Sequence, residues 1–150
     1  AAEVKHSASE PKSGIIEISK LGINAPIIFS QVGGSLDKDL KKGTILFPQT
    51  PRPGQVGVSL ILGHSAPPNW PKINYDTVFS RINELASGDK ILITVGDKNF
   101  NFQVVNKYFF KIGEDLSING SSLKSTILLI SCWPPGRNIK RIGVQAELIN

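Results

Sequence analysis

The chain holds one cysteine and two histidines, and their positions bound the chemistry open to it. Cys132 closes the apolar run Thr126 to Ser131 and is followed at once by Trp133, Pro134, Pro135 and Gly136. In mid-strand a cysteine behaves as a small hydrophobe, but at a strand end before a rigid loop it can be held in place and still meet solvent. Packing is the commoner use and nucleophilic attack the reactive one. An unperturbed thiol titrates at about 8.5, so a reactive one needs a neighbouring cation or base to favour the thiolate. His64 is one candidate partner: it ends the run Gly57 to Gly63 and leads into Ser65, Ala66, Pro67 and Pro68, again a strand end passing into a stiff connection. Taken alone, such a histidine is more often structural. Arg141 is the other candidate, with Arg137, in the loop after Cys132, as its rival.

The elements that must carry these residues read as short strands separated by Gly, Pro, Asn and Asp, the pattern of a sandwich or barrel. Ile15 to Leu21 and Pro26 to Phe29 come first, then Gly43 to Phe47 and Gly57 to Gly63, with the proline-rich stretch Pro48 to Pro53 as a loop. Lys90 to Val95 and Asn99 to Val105 flank Gly96, Asp97 and Lys98 as a hairpin. The runs Thr126 to Ser131 and Ile139 to Ile149 complete the set. In the last of these, alternation places Ile142, Val144, Ala146 and Leu148 on one face, which should be core, and Arg141, Gly143, Gln145 and Glu147 on the other. Gly143 on the arginine's side would leave backbone open to an extended peptide. Asp76 or Thr77 as a cap, Val78, Phe79, Ile82, Leu85 and Ala86 at helical spacing, and Gly88 as a stop predict one helix. Residues 1–14, with His6, read as a polar tail, and residues 15–150 as one domain. Asn119, Gly120 and Ser121 match a glycosylation sequon, which an Asn-Gly turn explains without a sugar.

Composition narrows the class further. At 150 residues, one compact domain buries roughly 70% of the surface exposed when unfolded. Hydrophobic residues at 40% and charged ones at 19% fit a folded protein rather than a disordered one. A lone cysteine excludes an internal disulfide, and with His6 and His64 it is too few soft ligands for a structural zinc site. The net charge of +5 is spread along the chain without a basic stripe, so nucleic acid is not an expected partner. No apolar run approaches the roughly 20 residues that cross a bilayer. The residues given therefore read as a soluble piece, with a membrane anchor upstream left open.

Taken in order, these segments resemble the sortase family from Ile15 to Ile149. IEISKLGINAPI is similar to the opening strand and aliphatic-Pro-Ile step of sortases, and GQVGVSLILGHS to their glycine-led strand ending in Gly-His. VFSRINELASGDKI resembles the short helix and Gly-Asp step that follow; LLISC stands where sortases carry Thr-Leu-x-Thr-Cys, and KRIGVQAEL resembles the strand supplying the essential arginine. Two positions depart from the pattern: Leu128 replaces the first threonine and Ser131 the second, the latter keeping a hydroxyl. The class of sortase is left open.

The resemblance implies an all-β fold, a closed sortase-type β-barrel of about eight strands with one or two short helices. It implies Cys132 as nucleophile, His64 as proton shuttle and Arg141 as donor to the substrate backbone or oxyanion. Ser131 and Gly143 are candidate substrate-binding positions, and Trp133 either shapes the substrate groove or, the more frequent use of tryptophan, packs beside it. The expected substrate is a sorting peptide similar to Leu-Pro-x-Thr-Gly, and the acceptor an amine from a peptidoglycan precursor or a pilin lysine. No cofactor is required. Some sortases use calcium, but no site for it is legible here. The expected setting is the outer face of a Gram-positive-like cell membrane, reached through an N-terminal anchor outside this chain. A cysteine protease and a non-catalytic peptide-binding barrel are the alternatives. Papain-like enzymes place cysteine before histidine, the reverse of the order here.

Overall fold

The computed structural model describes residues 11–67, 69–114 and 124–149. Eight strands among them close a barrel: β1 (Ser13–Ile18), β2 (Ile23–Phe29), β3 (Thr44–Leu46), β4 (Gly57–Leu62), β5 (Lys90–Val95), β6 (Lys98–Lys111), β7 (Ser125–Trp133) and β8 (Lys140–Leu148). Their order around the barrel is β1-β2-β3-β4-β7-β8-β6-β5. The β2–β3 and β4–β7 pairs are parallel and the rest antiparallel. Residues 1–10, which include His6, and the Asn119–Gly120–Ser121 triplet lie outside the described residues.

Strand alternation sets what goes inside. Ile16 and Ile18 of β1, Ile91 and Ile93 of β5, and Ile142 and Val144 of β8 are almost completely buried in one hydrophobic core. Each such side chain contributes roughly 1.5–3 kcal/mol by leaving water, which is why the register cannot slip by one residue without exposing the whole set. β7 is buried along both faces from Ser125 to Leu129, as its unbroken apolar run predicts for a strand between two neighbours.

β6 runs to Lys111, well beyond the expected end near Val105, because it crosses a bulge between Val104 and Asn106. Val104 pairs with Ala146 and Asn106 with Gln145, so one extra residue enters β6 and the inward phase changes from even to odd positions. Phe102 and Val104 face the core before the bulge. After it, Tyr108 and Phe110 pair with Gly143 and Arg141, which places them on the outer face.

The helix expected over Val78–Ala86 does not form. Turns lead into a single 3₁₀ turn at Ile82–Glu84, and Ala86 is exposed. Phe79, Ile82 and Leu85 are the apolar residues buried there, a spacing of three that suits the three-residue period of a 3₁₀ turn. The Phe79 N–H is also committed elsewhere, donating to the His64 carbonyl. A short α-helix, α1 (Leu36–Leu40), occurs instead before β3, capped by the Ser35 hydroxyl, which accepts from the Lys38 N–H at 3.3 Å. No helix among the described residues is long and apolar enough to cross a membrane.

Candidate active site

Cys132 and Arg141 are direct partners in the β7–β8 ladder. They share the outer face of the barrel, since Ile127, Leu129, Ile142 and Val144 occupy the inner one. Arg137 sits in the exposed turn between the strands, where its N–H donates to the Pro134 carbonyl at 2.9 Å. The ladder therefore brings Arg141 beside the thiol and leaves Arg137 out of that pairing.

His64 follows β4, whose parallel register on β7 ends with Leu62 opposite Ile130. Continued by two residues, that register sets His64 alongside Cys132. Four hydrogen bonds hold the segment there. The Gly63 N–H donates to Ile130 O at 3.1 Å, the Ser131 hydroxyl to Gly63 O at 2.5 Å, the Ser65 hydroxyl to Cys132 O at 2.8 Å, and the Gly136 N–H to Ser65 O at 2.6 Å. On the other side the segment is tied to the turn before Ile82, through Phe79 N–H to His64 O and the Ser80 hydroxyl to Ala66 O.

Two glycines permit this close lacing. A Cβ on Gly63 would lie 2.5 Å from the Phe79 ring, so only glycine lets that buried ring press against the backbone preceding His64. Gly136 has φ of +80°, and a Cβ there would meet Pro67 at 2.7 Å. Both sides of the site thus depend on backbone atoms approaching closer than a side chain would allow.

Cys132, His64 and Arg141 are each half-buried: reachable, yet anchored. Among the described residues the imidazole has no hydrogen-bond partner, so its backbone is fixed while its ring remains available. Hydrogen bonds to catalytic histidines commonly tighten only once substrate is bound. The thiol and the guanidinium meet at a residue that sequence reasoning missed. Asn138 Oδ1 accepts from Arg141 Nη1 at 2.7 Å and from Cys132 Sγ at 3.7 Å. A single asparagine in a Pro-Gly-rich turn reads as turn chemistry, and no spacing rule would have selected it.

The residues expected to bind substrate are placed differently from one another. Ser131 is 4% exposed and its hydroxyl is spent on Gly63 O, so it fixes the His64 backbone. Gly143 is buried, not open: Leu128 and Phe110 lie 3.2 and 3.4 Å from where its Cβ would be. Leu128 thereby covers the glycine at the centre of the outer face. Trp133 points away from Cys132 by alternation, packs on the core, and meets Phe109 edge-on with ring centroids 5.3 Å apart.

A cleft of about 640 Å³ lies elsewhere, lined by Leu21, Asn24, Lys72, Tyr75 and Arg81 among others, and Cys132 is not part of it. Reactive groups, rather than the size of a cavity, locate this site. Among the described residues no cluster of three or more His, Cys, Asp or Glu is placed to hold a metal ion.

Cys132, Arg141 and the His64 backbone meet at one end of a closed eight-stranded barrel, and the sortase domain family matches residues 16–149. The chain belongs to that family. It is 28% identical over 122 residues to Sortase D of Bacillus subtilis (strain 168), an alignment covering 81% of this chain and 54% of that protein. The chain thus spans about half the length of that curated relative. Among solved structures, a Clostridium perfringens Sortase D5 transpeptidase is 26% identical with a TM-score of 0.75, covering 99% of this chain and 88% of that one. Sortase C-1 from Actinomyces oris (23% identity, TM-score 0.76, 91% and 73% covered) and Sortase A from Corynebacterium diphtheriae (22%, 0.76, 94% and 62%) share the fold.

Proposed function

We propose that this chain is the catalytic domain of a cysteine transpeptidase that cuts a sorting peptide similar to Leu-Pro-x-Thr-Gly and passes the acyl part to an amine. The observation that carries this reading is the pairing of Cys132 with Arg141 across β7 and β8, with the His64 backbone laced to the same strand. The Cys132 thiolate attacks the scissile carbonyl carbon, and the C=O electron pair moves onto oxygen. Arg141 donates to that oxyanion, a kind of contact generally worth several kcal/mol to the transition state. As the tetrahedral species collapses, the C–N bond breaks and His64 protonates the leaving amine. A thioester to Cys132 remains. An incoming amine attacks it, His64 takes the proton, and the thiolate leaves.

The acceptor amine belongs in this proposal to a peptidoglycan precursor or a pilin lysine. The working place is the outer face of a bacterial membrane, reached through an anchor outside these residues. The steps as written need only the chain's own side chains.

The test is incubation with a panel of sorting peptides and amine nucleophiles, read by mass spectrometry. Transfer product together with a thioacyl adduct on Cys132, both abolished by Cys132→Ala, is the expected result. Hydrolysis without transfer would make the chain a protease. Peptide binding that yields neither product and survives Cys132→Ala would make it a non-catalytic barrel.

A further inference from the structure

Asn138 offers its side-chain oxygen to two donors at once, the Arg141 guanidinium at 2.7 Å and the Cys132 thiol at 3.7 Å. Both partners donate, so only the carbonyl end of the carboxamide satisfies them. A carboxamide carbonyl is the same functional group as a peptide carbonyl. Whatever amide this site attacks must bring its oxygen to the guanidinium and its carbon to the sulfur. Resting on the transpeptidase reading, we propose that Asn138 is a built-in occupant of the reaction centre. Its amide oxygen holds the place of the substrate's oxygen and has to swing out before attack.

Two consequences follow from the geometry. The thiol proton is engaged by the Asn138 oxygen, so the sulfur must give up a hydrogen bond before it reacts. Arg141 Nη1 is also engaged, by Asn138 and by the Lys140 carbonyl at 3.3 Å, so the donor meant for the oxyanion is occupied at rest. Removal is sterically open. Asn138 is exposed and lies in the turn between Trp133 and Lys140, where the β7–β8 ladder has ended.

Because Cys132 is the chain's single cysteine, alkylation by iodoacetamide reports on this thiol alone and needs no sorting peptide. At one fixed pH, Asn138→Ala is expected to alkylate about 2- to 10-fold faster, the factor that one net hydrogen bond represents. Asn138→Asp, which pairs its charge with Arg141 and sets a negative group beside the sulfur, is expected to alkylate more slowly than wild type. Opposite signs at one position cannot come from general loosening. In transpeptidation, Asn138→Ala should lower KM with kcat retained. Variants that both speed alkylation, both slow it, or both match wild type overturn the proposal. The two readings fail separately: a domain that transfers peptide while its variants alkylate like wild type loses only the role of Asn138. A domain that transfers no peptide while the variants show opposite shifts loses the transpeptidase reading and keeps the hold of Asn138 on the thiol.

Discussion

Replacing Ser131 by alanine tests whether the strand that carries the thiol also positions the histidine. The Ser131 hydroxyl is 4% exposed and donates to Gly63 O at 2.5 Å, one residue before His64. Alanine removes the donor without adding bulk and leaves a carbonyl at a buried position short of its partner. Such a loss costs about 1–3 kcal/mol, more than the net worth of an ordinary hydrogen bond, because desolvation of the acceptor is no longer offset. Taking about 2 kcal/mol, Tm should fall by about 4–8 °C for a domain of this size. Ser131→Thr keeps the hydroxyl and should recover most of that stability. Activity at a temperature well below both midpoints should fall by about tenfold in kcat, since small displacements of a catalytic group cost up to about a hundredfold. Thermal unfolding and transfer kinetics on the three proteins decide the matter. If Ser131→Ala kept both the wild-type Tm and kcat, the hydroxyl would hold neither the strand junction nor the histidine.

Other residues give independent checks. Ser59 is fully buried opposite Ile127 in the β4–β7 pair, and its hydroxyl has no hydrogen-bond partner among the described residues, so Ser59→Ala should raise stability by about 1 kcal/mol, read as a higher urea midpoint at unchanged slope. The Lys20 ammonium at 2.8 Å, with help from the Ala86 N–H, holds the Asp89 carboxyl below its ordinary value. A lowered carboxylate contributes stability above its unfolded pKa of about 3.9 and loses it as pH falls through the folded value. Asp89→Asn should therefore lower stability at neutral pH by under about 1 kcal/mol, because the pair is largely solvated, and that deficit should disappear as pH falls through the lowered folded value in acid titrations of unfolding.

Much of this architecture was legible because alternation is a strong signal. The inward set of β8 and the outward Arg141 follow from period two alone, and Gly96–Asp97 marks its hairpin, with Val95 opposite Lys98. What was not legible depends on contacts between distant segments. Val78–Ala86 looks helical until the Phe79 N–H is seen bonded to His64 O, a constraint that no local window contains. The bulge at Val104/Asn106 is equally hidden, because Val105 fits an alternating run as well as its neighbours do. In the opposite sense, α1 carried a readable cap in Ser35, with Asp37 and Asp39 in its first turn, but it is too short to stand out by periodicity. Ser131 and Gly143 were chosen for substrate; the first is committed to Gly63 O and the second lies under Leu128 and Phe110.

The arrangement separates what must stay fixed from what must move. Cys132 and Arg141 belong to a ladder whose inner residues are core, so displacing either means breaking strand pairing and exposing apolar surface. His64 is held by backbone bonds on both sides while its ring has no partner among the described residues. Asn138 is tied, through its side chain, to the Cys132 thiol and the Arg141 guanidinium. Under the proposed transpeptidase reading, an arriving peptide amide offers Arg141 the same carbonyl oxygen that Asn138 gives up, and the freed carboxamide regains its hydrogen bonds from water. The count of hydrogen bonds is nearly conserved through the exchange, so its cost falls mainly on ordering the peptide. Residues that fix the peptide along the outer face should then govern KM, whereas the junction at Gly63 and Ser131 should govern kcat.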